Sequence, residues 1–233
     1  MPIVQVPLRL SNVFVLETRL PILVDSGTVG DREDLDNALA DRGISTSAVA
    51  LVILTHGHAD HAGLAAEIQQ LGRAKIMLGA GDVPLAAVGH NDELRPTGLT
   101  GALLKPFVTT IYAEFTPDIV VHVRDSIDLS PWGIAGHVVA MPGHTPGSLV
   151  VLLDDHTAFV GDMIAGGALA GLFFPHSPGE HLYQADPVQN RKNIQTLLDL
   201  GVTKFYLGHG GPVVRADVIH AFSLIDHGTP VTP

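Results

Sequence analysis

The sequence predicts an α/β protein built as a four-layer αββα sandwich. Strand-like segments fall into two groups, one ahead of a proline-broken middle stretch and one after it, and each group is accompanied by amphipathic helix-like segments. The 46% hydrophobic content, with only 16% charged residues, is ample for a large core. No linker, low-complexity tract or repeat divides the chain, so residues 1–233 are expected to form one domain.

Ile3 to Leu10, Asn12 to Thr18 and Pro21 to Val24 read as three short strands joined by tight turns, ending in Asp25-Ser26-Gly27. A helix is expected from Asp31 to Ala40, acidic at its start and stopped by Gly43. Ala48 to Leu54 is a continuous apolar run, as in a strand buried on both faces. Leu64, Ala65, Ile68 and Leu71 give helical spacing from His61 to Leu71, and Ala74 to Leu78 reads as another strand. Pro84, Pro96 and Pro106 break residues 79–116 into short pieces, expected to be an insertion that covers a site. Strands resume at Ile119 to Val123, His137 to Met141, Ser148 to Leu153 and Thr157 to Val160. Pro187 to Leu200 reads as a helix with proline in its first turn, Lys204 to Leu207 as a strand and Ala216 to Ile225 as a last helix.

The formal charge of −11, without a Lys/Arg cluster, argues against a nucleic-acid partner. Zero cysteines exclude disulfides and thiol nucleophiles, so a metal has to be held by His and Asp. The strand-like start, Met1-Pro2-Ile3-Val4-Gln5-Val6, lacks the pattern of a secretory signal, and no apolar run is long enough to span a bilayer. A cytoplasmic protein with no membrane partner is therefore expected.

Thr55-His56-Gly57-His58-Ala59-Asp60-His61 crowds three imidazoles and a carboxylate behind an apolar run. Imidazole and carboxylate are donors that zinc and its neighbours prefer, and burying them without a cation leaves polar groups unpaired. Three further positions follow predicted strands beside glycines: His144 in Pro142-Gly143-His144-Thr145-Pro146-Gly147, Asp162 in Val160-Gly161-Asp162, and His209 in Gly208-His209-Gly210. Together they make seven candidate ligands, five His and two Asp.

In this order, H-x-H-x-D-H, G-H-T-P-G, G-D and G-H-G resemble the metallo-β-lactamase-fold hydrolase superfamily, in its general or glyoxalase II-like branch. The resemblance implies the αββα fold and two metal ions, zinc or alternatively iron or manganese. It places His56, His58 and His144 on one metal, Asp60, His61 and His209 on the other, and Asp162 on both. Asp25 matches an acidic position that orients a ligand imidazole. The implied activity is hydrolysis of an acyl bond, in a thioester, lactone or other ester, by hydroxide shared between the metals, with Asp60 orienting it and passing a proton. β-Lactam cleavage is disfavoured by the Asp162 carboxylate. Ala165, where lactonases for homoserine lactones carry tyrosine, weakens that narrower reading.

His176, His181 and Tyr183 lie in the loop after Asp162 and are candidate substrate contacts. Apolar residues in Leu99 to Phe115 and Ile164 to Phe174 suit the wall of a cleft for a small apolar substrate, or alternatively a homodimer interface. The rival chemistry is that of a mononuclear iron persulfide dioxygenase, since His/Asp donors accept iron. Against it, Met163 to Leu172 carries no arginine.

Overall fold

The computed structural model describes residues 1–169 and 171–228. The first sheet runs β1 (Ile3–Pro7), β2 (Asn12–Leu16), β3 (Ile22–Val24), β4 (Leu51–Ile53), β5 (Lys75–Gly79) and β6 (Ile119–Val121), in that spatial order. β1 to β3 form an antiparallel meander, and β3 to β6 pair in parallel. The remaining strands are β7 (Ser126–Asp128), β8 (Gly136–Ala140), β9 (Leu149–Leu153), β10 (Thr157–Phe159), β11 (Ala165–Ala168), β12 (Phe173–Gly179), β13 (Lys204–Tyr206) and β14 (Val213–Val214). The second sheet has the order β14-β13-β10-β9-β8-β7, with only β10 and β13 parallel, and β11–β12 is a separate hairpin.

Alternation along the strands builds the layers. Phe14 and Leu16 of β2, with Ile22, Val24, Leu51 and Ile53, pack against Val138, Leu149, Val151 and Phe159 of the opposite sheet. At the centre the Phe14 ring meets Phe159 edge-on at 5.1 Å and Tyr206 at 5.2 Å. The intervening residues Val13, Val15, Leu23 and Val52 face outward onto α1 (Arg32–Ala40), through Leu35 and Leu39, and onto α2 (Ala59–Ala62) and α3 (Ala65–Gln70), through Ala62, Ala65 and Ile68. On the other side Val150, Leu152, Ala158 and Phe205 face α6 (Pro187–Asp199), through Ile194, Leu197 and Leu198, and α7 (Arg215–Phe222), through Val218 and Phe222. Three apolar layers separate four layers of secondary structure, as the period-two pattern predicts. Between β5 and β6 run two short helices, α4 (Val83–Val88) and α5 (Leu99–Leu104).

Three features depart from the sequence reading. The helix expected from His61 to Leu71 is two helices, α2 and α3, because Gly63 N–H bonds Gly27 O at 2.9 Å and Ser26 Oγ bonds His61 O at 2.7 Å. The 25–27 turn thus takes over polar groups of the α2–α3 junction. The β11–β12 hairpin and the short β7 and β14 were not anticipated. Most other strands end one to three residues early, as terminal residues turn toward the site or into loops, whereas β3 and β9 end where expected and β5 ends one residue later.

Candidate metal centre

Strands β3, β4, β8, β10 and β13 each hand the chain, at their C-terminal ends, to a site residue: Asp25, the 56–61 segment, His144, Asp162 and His209. Backbone bonds across the two sheets hold these loops together. Leu149 N–H donates to Thr55 O at 2.7 Å and Asn12 N–H to Gly208 O at 2.7 Å, while Asn12 Nδ2 donates to Leu207 O and Gly210 O. The glycines of the motifs have steric reasons. A methyl on Gly208 would land on Asp162 Oδ1 and within 2.6 Å of His61 Cε1, and Gly161, at φ 53°, lies against Thr55.

Donor atoms of His56, His58 and His144 lie within 4.8 Å of one another, and so do those of Asp60, His61, Asp162 and His209. His144 Nε2 is 3.2 Å from His58 Nδ1. Asp162 stands between the sets. Its Oδ2 lies 3.9 Å from His56 Nε2, 3.8 Å from His144 Nε2 and 3.1 Å from His209 Nε2, and its Oδ1 lies 3.4 Å from His61 Nε2. Asp60 Oδ2 is 3.6 Å from His61 Nε2 and 3.3 Å from His209 Nε2. Thus all seven motif residues converge.

The outward nitrogen of each imidazole has its own acceptor. His61 Nδ1 donates to Asp25 Oδ2 at 2.9 Å, His144 Nδ1 to Tyr183 O at 2.9 Å and His209 Nδ1 to Leu10 O at 2.6 Å. His58 is reversed, with Nε2 donating to Asp92 Oδ1 at 2.9 Å and Nδ1 facing inward. His56 Nδ1 meets Thr55 Oγ1 at 3.1 Å, a hydroxyl whose own proton goes to Asp25. With the protons outside, the inward nitrogens keep lone pairs for a cation. A divalent ion fits a specific deficit here: His56 Nε2, His61 Nε2 and Asp162 Oδ1 are buried with no hydrogen-bond partner among the described residues.

Charge divides the two sets. Burial, then the neighbouring imidazoles, depress His56 well below the usual histidine range, and burial and His181 do the same to His144. Both are neutral, as a ligand requires. Burial also opposes a charge on His209, yet Asp162 and Asp60 outweigh it and push it up to about 10. His61, against the same burial, is raised by Asp162, Asp60 and Asp25. Asp162 and Asp60 are correspondingly lowered, His209 and His61 outweighing the cost of burying each carboxylate. Without metal, protons on His61 and His209 balance the two carboxylates.

Two buried or half-buried carboxylates escaped the sequence reading. Asp82 accepts Gly57 N–H at 2.8 Å, Gly147 N–H at 2.7 Å and Thr145 Oγ1–H at 2.7 Å, tying the first histidine loop to the His144 loop. Asp92 orients His58, and its neighbour Asn91 accepts Ala59 N–H at 2.8 Å. Both lie in the 79–116 stretch, which also sends Tyr112 Oη to Gly57 O. An aspartate following a Gly in a loop was the only signal at Asp82, and none marked Asp92. Of the loop residues after Asp162, His181 reaches the centre, with Nε2 3.1 Å from Asp162 Oδ2. His176 is exposed and bonded to Pro212 O, outside the donor sets. Tyr183 presents its carbonyl to the site while its buried hydroxyl donates to Gly101 O at 3.0 Å.

Two β-sheets back to back with a His/Asp centre at the strand ends define a class of metal-binding αββα proteins. The chain belongs to the metallo-beta-lactamase superfamily, whose family model matches residues 6–209. It is 31% identical over 223 residues to mouse metallo-beta-lactamase domain-containing protein 1, covering 91% of this chain and 69% of that one. It is 26% identical over 173 residues to the probable metallo-hydrolase YflN of Bacillus subtilis, covering 67% of this chain and 61% of YflN. The chain thus spans about three fifths of the length of that relative and of a similar archaeal protein from Sulfurisphaera tokodaii. A metallo-beta-lactamase family protein of Thermus thermophilus shares the fold at a TM-score of 0.68 with 22% identity, covering 95% of this chain and 77% of that structure.

Proposed function

We propose that this chain is a dinuclear metal-dependent hydrolase that cleaves an acyl bond, in a thioester, lactone or other ester, of a small apolar substrate. The observation that carries the proposal is Asp162, one buried carboxylate whose Oδ2 faces His56 and His144 of the first donor set and His209 of the second, while its Oδ1 faces His61. His56, His58 and His144 would hold the first ion, Asp60, His61 and His209 the second, and Asp162 both. Nitrogen and oxygen donors without sulfur suit zinc, and also accept iron or manganese. Such an ion pair, when bound, lowers the pKa of water toward about 7 and polarises an acyl oxygen.

The chain's own groups then position and move protons. Asp60 is the better placed of the two carboxylates to orient water and take its proton, since its side chain is 22% exposed against 2% for Asp162. Ser11 Oγ bonds the Asp60 carbonyl and steadies the start of α2. Apolar arms flank the centre on two sides. The β11–β12 hairpin is joined to the His209 loop by Gly166 N–H to His209 O and carries exposed Leu172 and Phe174 near its turn. α5 lies over the Tyr183 segment and exposes Leu99 and Leu103, four residues apart on one face. These surfaces support an apolar acyl group rather than a nucleic acid, which the net charge of −11 would repel.

The test is hydrolysis of a panel containing a small thioester, a lactone, an ester and nitrocefin, before chelation, after it and after zinc is restored. The proposal expects turnover of at least one acyl substrate, lost on chelation and recovered with zinc. Oxygen consumption with a persulfide by an iron-loaded chain that leaves the panel untouched would overturn it.

A further inference from the structure

We propose that His181 is an eighth donor of this centre, an imidazole that binds metal from the solvent side. The inference rests on the dinuclear reading above and adds to it a residue that the sequence motifs do not contain.

Four imidazole nitrogens converge on one oxygen, Asp162 Oδ2, and His181 Nε2 is as close as any, at 3.1 Å. His56 and His144 keep their protons on Nδ1 and turn lone pairs toward that oxygen, and cations between nitrogen and oxygen would satisfy these nitrogens and the His181 and His209 nitrogens alike. His181, His144 and Asp162 form a third set of donor atoms within 4.8 Å of one another. The ring stands edge-on to His144 at 4.8 Å and stacks over His209 at 5.5 Å, so it overlooks both proposed ions.

The second nitrogen of His181 is held in the same way as those of the motif histidines. Nδ1 lies 3.1 Å from Tyr183 O, the carbonyl that also accepts Nδ1–H of His144 at 2.9 Å. One carbonyl, with its two lone pairs, therefore sets two imidazoles with Nε2 directed inward. The backbone that carries them is braced. Thr97 N–H donates to Leu182 O at 2.9 Å, Gln184 N–H to Arg95 O at 3.0 Å and Thr97 Oγ1–H to His181 O at 2.8 Å. At 14% exposure the His181 side chain is more open than any motif imidazole, so among the imidazoles it is the one that reaches the centre from the solvent side.

The rival arrangement reverses the ring tautomer, with Nε2–H donating to Asp162 and Nδ1 accepting from Tyr183 N–H at 3.3 Å. Proton NMR of the cobalt-loaded full chain separates the two. Each bound imidazole contributes one strongly shifted, exchangeable N–H signal. The proposal expects six, from His56, His58, His61, His144, His209 and His181, and His181→Ala removes one. It also expects the visible cobalt spectrum of His181→Ala to change, zinc affinity to fall roughly tenfold, and azide to bind the cobalt form more tightly through the freed position. Two cobalt ions with five such signals in the unaltered chain overturn the eighth donor alone, as does an unchanged spectrum and zinc affinity in His181→Ala. Fewer than two ions in the unaltered chain overturn the dinuclear reading with it.

Discussion

Asp25 Oδ2 accepts the Nδ1 proton of His61 at 2.9 Å, with both side chains fully out of solvent. The same carboxylate accepts Thr55 N–H at 2.7 Å, so the turn after β3 fixes both the ring of His61 and the start of the first histidine loop. Asp25 adopts φ 64°, a left-handed backbone that asparagine tolerates and alanine resists. Asp25→Asn keeps shape and acceptor while removing charge. It is expected to fold and to weaken zinc binding about tenfold, read by competition with a chromophoric chelator. Asp25→Ala should lose more, including stability.

Asp92 gives the matching prediction for the other donor set. Its side chain is partly exposed and its bond to His58 Nε2 is its only contribution to the centre among the described contacts. Asp92→Ala should leave the melting temperature of the metal-free protein within a few degrees of the parent. Zinc affinity should fall roughly ten- to a hundredfold as His58 loses its orientation. Unchanged affinity would remove Asp92 from the centre.

Asp82 behaves in the opposite way. It is wholly buried and accepts three protons; Asp82→Ala would leave the Gly57 and Gly147 N–H groups without partners, while Thr145 Oγ1 keeps Ser148 Oγ at 2.9 Å. At about 1–3 kcal/mol for each orphaned donor, the loss is large against a domain's total stability. The urea midpoint of Asp82→Ala should fall well below that of the parent, with Asp82→Asn intermediate. A midpoint equal to the parent's would show that the two loops are joined by other means.

The metal-free protein should weaken as the solution turns alkaline. His209, at about 10 in the folded chain, titrates near 6.5 when unfolded, and His61 is raised in the same sense. The stability His209 contributes is complete below about pH 6.5 and is lost as pH rises through about 10, and that of His61 is lost in the same direction. Zinc must displace the same protons, so its uptake at pH 7.5 should release protons into a weakly buffered solution. Thermal melts between pH 6.5 and 10, with and without zinc, check the first point: a falling melting temperature is expected only without metal.

Much of the centre was legible because its donors sit in short motifs at strand ends, and the layers because the strands alternate cleanly. Val13 and Val15 face one way, Phe14 and Leu16 the other. What escaped notice depends on contacts distant in sequence. Asp82 acts 25 and 65 residues from its backbone partners and Asp92 34 residues from His58, so no local pattern signals either. The β12 segment Phe173-Phe174-Pro175-His176-Ser177-Pro178-Gly179 carries two prolines and no alternation, and it forms a strand by pairing with β11. The break between α2 and α3 lies inside a helical spacing, and only the approach of the 25–27 turn to Gly63 ends the first helix.

Zinc stoichiometry by equilibrium dialysis, on the full chain and on Asp162→Ala, tests the dinuclear centre most directly. Two zinc ions per chain in the parent, with weakened binding of both in Asp162→Ala, is the expected result. A parent that holds one ion or none, or an Asp162→Ala variant that holds two with undiminished affinity, would contradict it.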